Sequence, residues 1–408
     1  MPTMLCLAMV LGCFLSFFLK VMLNENFKFR YTPLNGSIIA YILIYFIYAF
    51  ISNKPISSLQ IALLVASFIL FYFIIINSIT TKKQLDVMIA IFTIIGIVIS
   101  AYGIYQYLFM GTYASSSFVD KELFENITTR VSGTFDNPNV MGEYLLLVIP
   151  VALTYFFNFK SFRAKFLSLC VVGFIGISLA LTYSRGCYLG IIATIGIFLL
   201  LLNIRFILLF IAGILAIPFI IPQSILNRFT SIGNTEDTST SYRISIWQGA
   251  INMIKDYWYR PIGQGKAAFN NIYPIYSLNG VGAEHTHNLF LQIMVETGFL
   301  GIISFFSILF NYIRYMFNGL KNPIENKYRI YIIAFSSGLF GFLIQSLFDN
   351  TWYNNRIILI FWIFISLGSL ARYYSNLKIK KTSASRWYIW KKSYILFLIQ
   401  ILVVLANI

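Results

Sequence analysis

The sequence predicts an all-α polytopic membrane protein with about twelve transmembrane helices and one long, partly helical external loop. Hydrophobic residues make up 59% of its 408 residues and charged residues 11%, whereas a soluble domain carries about 25% charged residues. The apolar residues come in blocks close to the roughly 20 residues that a membrane-spanning helix needs. Since these blocks are continuously apolar, without the alternation of barrel strands, we expect the spans to be helical.

The chain is expected to form one membrane domain over residues 1–408. Its first apolar block has no basic region before it and no small-residue cleavage site, so we interpret it as a retained span rather than a signal peptide. The four cysteines lie in or beside apolar blocks without metal-ligand spacing, and we expect them to pack as small apolar residues. The predicted spans are Met4–Leu23, Ser37–Ile51, Leu59–Asn77, Val87–Phe109, Val140–Phe157, Phe166–Tyr183, Cys187–Leu202, Phe206–Pro222, Leu289–Tyr312, Arg329–Phe348, Ile357–Tyr373 and Ser393–Ile408.

Basic residues in the short connections predict the orientation of these spans. The sequence has 30 Lys and Arg against 14 Asp and Glu, a net charge of +16. In a soluble protein this excess would indicate nucleic-acid binding, but here the basic residues concentrate in loops on one side, as cytoplasmic loops do. We therefore expect membrane lipids and no nucleic acid as partners. By this count the N-terminus is external, as are two longer connections at about 110–139 and 223–287.

The second of these connections is too long for a simple hairpin, and loops of such length are usually functional or disordered. It contains the pattern of an amphipathic helix, Tyr242–Tyr257, which Pro261–Gly265 then interrupts. We therefore expect an ordered, partly helical segment that lies against the membrane.

Three arginines fall on the external side. Arg185 lies between two apolar blocks, where a charge costs about 2.5–3.5 kcal/mol at the bilayer centre, so it is expected to be functional or to snorkel to the headgroups. Arg243 opens the predicted amphipathic helix, where an anion could bridge its guanidinium and the helix N-terminus; a solvated surface charge is the alternative. Arg130 precedes a turn-rich segment and is expected either to contact phosphate or to act as a structural clamp. The small neighbours Ser184 and Gly186 would leave room for an anion at Arg185.

Both histidines of the chain, His285 and His287, lie where the long connection meets the ninth predicted span. No Cys, Asp or Glu stands at metal-ligand spacing beside them, so a metal is not expected. Because histidine transfers protons near neutral pH, we favour catalysis over a structural role in the loop. Glu296, within the ninth span, needs a partner and is expected to pair with an arginine or to orient an imidazole.

The sequence lacks an Asp-x-Asp pair, a phosphate-binding loop and a Gly-x-Gly-x-x-Gly motif, which leaves little basis for NTP, nicotinamide or metal chemistry. We therefore expect no cofactor. Arginine forks match phosphate oxygens, and a neutral histidine removes protons from hydroxyl groups. Together they indicate an external site for a membrane-borne phosphate or diphosphate.

Several segments, in this order, resemble the O-antigen ligase and polymerase superfamily of membrane glycosyltransferases, over about residues 85–370. They are Arg130–Asn139, Thr182–Gly186, Tyr242–Trp247 followed by Pro261–Gly265, His285–Gly301, and Asp349–Trp362, which is similar to the C-terminal signature. The number of spans before the first segment departs from the family pattern.

The resemblance implies a metal-independent, inverting glycosyltransferase. Such an enzyme moves a glycan from an undecaprenyl diphosphate carrier to a hydroxyl of a glycan, lipid or protein acceptor, on the outer face of the bacterial cytoplasmic membrane. Under this resemblance Arg185 and Arg243 would hold the diphosphate, and His287 would be the catalytic base. The supporting candidates are Arg130, His285, Asn288 and Glu296.

Two alternatives remain open from the sequence. One is a polymerase of lipid-linked repeat units, in the same family. The other, from a different class, is a flippase or transporter for lipid-linked saccharides. Transporters usually show inverted repeats and interrupted helices at the midplane; neither is evident here, and the polar residues gather in the external loops.

Overall fold

The computed structural model describes residues 2–110, 129–234, 237–321 and 325–376, which form α-helices, short 3₁₀ and π turns, and no strand. The helices are α1 (Pro2–Leu23), α2 (Asn35–Phe50), α3 (Pro55–Ser78), α4 (Lys82–Tyr105), α5 (Pro138–Asn158), α6 (Phe162–Ala180), α7 (Arg185–Leu202), α8 (Ile207–Ile220), α9 (Gln223–Thr230), α10 (Thr238–Tyr257), α11 (Gly265–Tyr276), α12 (Leu289–Leu320), α13 (Asn326–Gln345) and α14 (Asn355–Ser375). The chain is thus an all-α, multi-pass membrane protein, as its apolar blocks predict.

Eight of the described helices are long and apolar enough to cross a membrane, namely α3, α4 with its π turn, α5, α6, α7, α12, α13 and α14. Three shorter apolar helices cover Val10–Leu23 in α1, all of α2, and Ile204–Ile220, which includes α8. These eleven helices coincide with the first eleven predicted spans. The twelfth, Ser393–Ile408, lies outside the described residues, as does most of the 110–139 connection.

Helices α5, α13 and α14 form the buried centre of the bundle, with α3 and α7 against them. Trp362 of α14 is fully enclosed there. Helices α7 and α13 approach closely through glycines: a Cβ on Gly341 would lie 2.5 Å from the carbonyl oxygen of Gly190. Small residues allow helices to pack at this distance in membranes.

The two ends of the bundle differ in chemistry. At one end, Lys82 pairs with Glu325 at 2.9 Å and Lys327 with Asp86 at 2.6 Å. The other end carries α9–α11 and both histidines. The segment before α5 is fixed there by Gln106, whose side chain donates to the carbonyl of Gly133 and accepts from its N–H.

Helix α10 begins four residues before the predicted start at Tyr242, so that boundary is wrong. Asp237 caps its N-terminus by accepting hydrogen bonds from the backbone N–H groups of Ser239 and Thr240. Arg243 therefore lies in the second turn rather than the first, and a carboxylate of the chain itself occupies the helix N-terminus, where an anion was expected.

A small separate core holds α10 and α11 against α12. It consists of Ile246, Ala250, Met253, Ile262, Phe269, Tyr273 and Val295. Helix α12 kinks at Gly298, whose φ is +59°. A Cβ there would lie 2.6 Å from the carbonyl oxygen of Trp258, which accepts a hydrogen bond from the N–H of Phe299. Glycine is therefore required for α10 and α11 to dock beside the histidine loop.

Candidate active site

The centre of the site is a pair of side chains 62 positions apart in the sequence: Nδ1 of His287 lies 3.1 Å from Oδ1 of Asp349. Asp349 follows α13, and Asn139 of α5 donates a hydrogen bond to its other oxygen at 3.1 Å. The pair is mostly shielded from solvent, with the His287 side chain 25% exposed. Helix packing, rather than sequence proximity, therefore brings the carboxylate behind the imidazole.

The ionisation of Asp349 determines which nitrogen of His287 is free. Burial by itself raises the pKa of Asp349, but the hydrogen bond from His287 and the charges of His287 and Arg243 hold it well below its usual range. An ionised carboxylate can only accept hydrogen bonds, so Nδ1 of His287 must carry the proton. In the neutral ring, Nε2 is then an unprotonated base.

The backbone around His287 is held in an uncommon conformation. Its φ is +48°, in the left-handed region that side chains other than glycine rarely adopt. Its N–H donates to Nδ1 of His285 at 3.1 Å, and its carbonyl accepts from the indole N–H of Trp247 at 3.3 Å. Asn288 caps α12 and also donates to the carbonyl of Leu347. Asn288 therefore fixes the position of His287 and takes no visible part in the chemistry.

His285 is the buried neighbour of the base. Its ring centroid lies 4.0 Å from that of His287 and 4.3 Å from that of Tyr353. Burial, together with the charge of His287, lowers the pKa of His285 to about 4. His285 is therefore neutral at physiological pH and accepts the backbone hydrogen bond that shapes the loop.

The lowered pKa of His285 predicts a loss of stability in mild acid. The unfolded chain binds a proton on this histidine below about pH 6.5, whereas the folded chain does so only near pH 4. Stability is therefore fully present above pH 6.5 and falls toward pH 4, by about 2 kcal/mol at pH 5. Thermal unfolding of the detergent-solubilised chain between pH 7.5 and 5 should show this loss. The His285→Asn variant should lack most of it, and an unchanged pH dependence in that variant would contradict the assignment.

A cavity of about 480 Å³ opens beside the His287–Asp349 pair. One wall is formed by Arg130, Arg228 and Arg243, and a smaller recess of about 30 Å³ adjoins it, lined by the same three arginines and by Arg185. Arg243 forms no hydrogen bond or ion pair with the part of the chain that the structure describes. Its guanidinium is therefore the one in this wall most available to an incoming ligand.

Arg185 is neither exposed nor snorkelling. It bonds to Oδ1 of Asp237 at 2.9 Å and to the carbonyl of Ser231 at 3.2 Å, and its side chain is 9% exposed. The same carboxylate meets Arg228 at 3.4 Å. The room expected next to Gly186 is taken by α13, because a Cβ there would lie 1.9 Å from Oε1 of Gln345. Arg185 thus reaches the recess as part of a network held by Asp237.

Positive charge is in excess in this region. Four guanidinium groups, of Arg130, Arg185, Arg228 and Arg243, outnumber the carboxyl groups of Asp237, Asp349 and Glu143. Burial and the charge of Arg228 lower the pKa of Arg130 to about 9, and burial and the charge of Arg185 lower that of Arg228 to about 10. Burial is the larger cause of each shift, and repulsion between the neighbouring cations adds to it. An anionic ligand would relieve this repulsion.

Arg130 acts as a structural clamp, which is one of the two roles expected of it, and contact with phosphate stays a prediction. Its Nε donates to the carbonyl of Thr182 at 2.8 Å and its guanidinium donates to Oδ1 of Asn139 at 2.9 Å, so it clamps the segment before α5 to the end of α6. It also lines the cavity.

Glu296 pairs with no arginine and orients neither imidazole among the described residues. It accepts hydrogen bonds from the N–H of Gly265 and from the side chain of Gln292, both at 2.9 Å. Gln292 in turn accepts from the N–H of Thr286, between the two histidines, at 2.8 Å. Glu296 therefore supports the histidine loop through one intermediate side chain.

The structure brings the carboxylate of Asp349 next to the two histidines, from which it is distant in the sequence. Potential ligand atoms of His285, His287 and Asp349 lie within 4.8 Å of one another. The Nδ1 atoms of both histidines are already engaged, because that of His285 accepts the backbone N–H of His287 and that of His287 donates to Asp349. The positive charge of Arg243 acts on both His285 and Asp349 and opposes a cation there. The arrangement favours an acid–base pair over a metal centre.

Four residues of the site did not emerge from the sequence as candidates: Glu143, Arg228, Asp237 and Asp349. Asp349 opens a recognised segment directly after an apolar span, which is a signal for it. Asp237 precedes three Ser and Thr residues at a helix start, a capping pattern. Arg228 and Glu143 carry no local signal, since their roles come from contacts with distant helices.

The arrangement combines a base with a fixed tautomer, an arginine wall with excess positive charge, and a cavity between neighbouring helices. It can bind a membrane-borne anion and accept a proton from a hydroxyl beside it.

Residues 169–306 match the family model described as O-Antigen ligase. This region includes Arg185, Arg243 and both histidines but not Arg130 or Asp349. No curated protein matches the chain. This match supports the resemblance of the sequence motifs to the O-antigen ligase and polymerase superfamily.

Proposed function

We propose that the chain is a metal-independent, inverting glycosyltransferase that moves a glycan from an undecaprenyl diphosphate carrier to an acceptor hydroxyl. The observation that carries the proposal is the His287–Asp349 pair in a cavity whose wall holds Arg130, Arg228 and Arg243. A base alone would suit many reactions. A base beside excess buried positive charge suits a reaction whose leaving group is an anion.

In the proposed step, the acceptor hydroxyl gives its proton to Nε2 of His287 while its oxygen attacks the anomeric carbon of the donor sugar. The bond between that carbon and the diphosphate oxygen breaks, and the carrier diphosphate leaves with the electron pair. Attack from the face opposite the leaving group inverts the anomeric configuration. Asp349 stabilises the imidazolium as it forms, and the arginines stabilise the negative charge of the leaving diphosphate.

The end of the bundle that carries the site is proposed to face outward. The opposite end holds Lys82, Lys327 and Arg329 at the termini of α4 and α13, and basic residues at helix ends mark the cytoplasmic side. This orientation makes the bacterial cytoplasmic membrane, with the site on its outer face, the proposed location.

Replacing Asp349 tests the orienting carboxylate. In Asp349→Asn the amide can meet either nitrogen of His287, so the tautomer is no longer fixed and the imidazolium loses its counter-charge. We expect kcat to fall by up to about 10⁴-fold, as when asparagine replaces the aspartate behind a catalytic histidine, with little change in the KM for the donor. The matched control is Asp136→Asn, an exposed aspartate at the same end whose positive φ asparagine also tolerates. Equal activity of both variants would contradict the orienting role.

The reaction class is tested with the purified full chain in lipid vesicles, supplied with labelled undecaprenyl-diphosphate-linked saccharide. A new glycosidic bond supports the proposal. Longer chains on the carrier identify a polymerase, and transfer to another acceptor identifies a ligase. Movement of the labelled lipid between leaflets without a new bond would replace the proposal with the flippase alternative.

A further inference from the structure

The cavity has a second region whose chemistry differs from that of the arginine wall. Tyr242, Tyr353 and Asn350 line the cavity but not the arginine-lined recess that adjoins it. The two tyrosine rings lie beside the two histidines: Tyr242 is 6.0 Å from His287 and Tyr353 is 4.3 Å from His285, measured between ring centroids. These three side chains are uncharged and two of them are aromatic. They therefore suit an uncharged part of the reactants rather than the diphosphate.

Both tyrosine rings are exposed but fixed in place. Tyr242 is 40% and Tyr353 51% exposed. The Tyr242 hydroxyl donates to the carbonyl of Gly282 at 2.6 Å, and the Tyr353 hydroxyl donates to Glu284 at 2.8 Å. With the hydroxyls engaged, the ring faces are what these residues offer to a ligand. Fixed rings bind at a small cost in conformational entropy.

Asn350 supplies a polar group whose hydrogen-bonding capacity is unused. It is only 7% exposed, and its Oδ1 has no hydrogen-bond partner among the described residues. Its backbone N–H donates to Asp349 at 2.9 Å and its carbonyl accepts from the N–H of Tyr353 at 2.9 Å. One short turn thus carries the orienting carboxylate, the buried amide and one aromatic ring. A buried oxygen of this kind normally has a donor, and rotation of the Asn350 side chain toward the cavity that it lines would let a ligand hydroxyl supply one.

We propose that Tyr242, Tyr353 and Asn350 form the acceptor subsite, and that the acceptor is a pyranose ring of a glycan; this rests on the proposed function. A pyranose presents polarised C–H groups on one face and hydroxyl donors at its edge. The negative face of an aromatic ring attracts the C–H groups, and the unpaired amide oxygen of Asn350 accepts a hydrogen bond from a hydroxyl group. An acyl chain would leave that buried oxygen unsatisfied. The donor diphosphate belongs at the arginines, so this region, beside the histidines, takes the acceptor.

Binding is tested with the detergent-purified full chain and the oligosaccharide freed by mild acid from the host's carrier lipid. The same oligosaccharide with its rings opened by periodate and then reduced is the matched probe. Saturation-transfer NMR from the tyrosine rings should detect the closed-ring form and not the opened form. Tyr242→Leu and Tyr353→Leu should each weaken binding about 5- to 10-fold, the range expected for one aromatic contact.

The Phe variants at both positions keep the ring face and should bind within about twofold of the parent. The control is Tyr259→Leu, an exposed tyrosine that does not line the cavity, which should bind as the parent does. Equal binding of closed and opened forms, absence of binding, or Leu variants that bind as the parent would overturn the subsite.

Transfer kinetics separate the subsite from the proposed function. In the assay with labelled carrier-linked donor, the Leu variants should raise the KM for the acceptor and leave the KM for the donor unchanged. A change in the donor KM instead would overturn the acceptor assignment. If the parent transfers glycan and the Leu variants leave the KM for the acceptor unchanged, only the acceptor subsite is contradicted. If the closed-ring oligosaccharide binds in a way that depends on the tyrosines but the parent transfers no glycan, only the proposed glycosyltransferase activity is contradicted.

Discussion

Replacing His287 with alanine is expected to reduce glycan transfer by about 10²–10⁴-fold, the contribution of a positioned general base. The variant leaves the acceptor hydroxyl without a group to take its proton, while the arginine wall and the cavity stay in place. The KM for the carrier-linked donor should therefore change little. The measurement is initial-rate transfer by the purified chain, with labelled undecaprenyl-diphosphate-linked saccharide as donor.

A role limited to folding has to be separated from catalysis, since the backbone of His287 lies at a φ of +48°. Thermal unfolding and size-exclusion chromatography should show that the variant inserts and folds as the parent does. Gln248→Ala, an exposed polar residue on α10, is the control for substitutions at this end and should keep full activity. Near-normal transfer by folded His287→Ala protein would remove His287 as the base.

Replacing Arg243 with alanine is expected to lower kcat/KM for the donor by about 10²–10³-fold, the effect of removing one group that stabilises a developing anion. Arg243 has no partner among the described residues, whereas Asp237 or main-chain carbonyls engage its neighbours. Its deletion therefore removes ligand contacts without breaking internal ones. Arg243→Lys should recover only part of the activity, because an ammonium group cannot replace the two-pronged guanidinium.

Arg185→Lys provides the comparison for Arg243. Arg185 spans Asp237 and Ser231 with two nitrogens, and lysine cannot reach both, so a clear loss of activity is also expected there. Arg260→Lys, at an exposed external arginine, is the matched control and should behave as the parent. Full activity of Arg185→Lys would show that Arg185 does not contribute to diphosphate binding. Full activity of Arg243→Ala would remove the arginine wall from the mechanism.

The proposed site also predicts how the chain responds to a ligand. Burial lowers the pKa values of Arg130 and Arg228, and repulsion between the neighbouring cations lowers them further. Because a bound diphosphate relieves this repulsion, carrier lipid diphosphate should stabilise the folded chain more than the corresponding alcohol does. His285 plays no part in this difference at neutral pH, where it is uncharged.

The sequence determined the properties that depend on neighbouring residues. Continuous apolar blocks predicted the helical spans, because the length of a block fixes whether a helix crosses a bilayer. The bounds agree within about five residues except at the end of α12, which continues from the predicted Tyr312 to Leu320. The same local view placed His285, His287, Arg185 and Arg243 at one end of the bundle. It placed the start of α10 wrongly, because the cap at Asp237 lies before the apolar pattern that marks the helix.

Only the tertiary structure decided how these residues act. Asp349 stands behind His287 because α12 and α13 pack side by side, although 62 positions separate the two residues. Asp237 joins Arg185 to Arg228, and Glu296 reaches the histidine loop through Gln292 rather than directly. The hydrophobic pattern predicts which face of a helix is apolar. Pairing between polar groups depends instead on how helices that are distant in the sequence pack against each other. That packing gives the two histidines different surroundings, because His287 bonds to Asp349 whereas His285 is buried beside it.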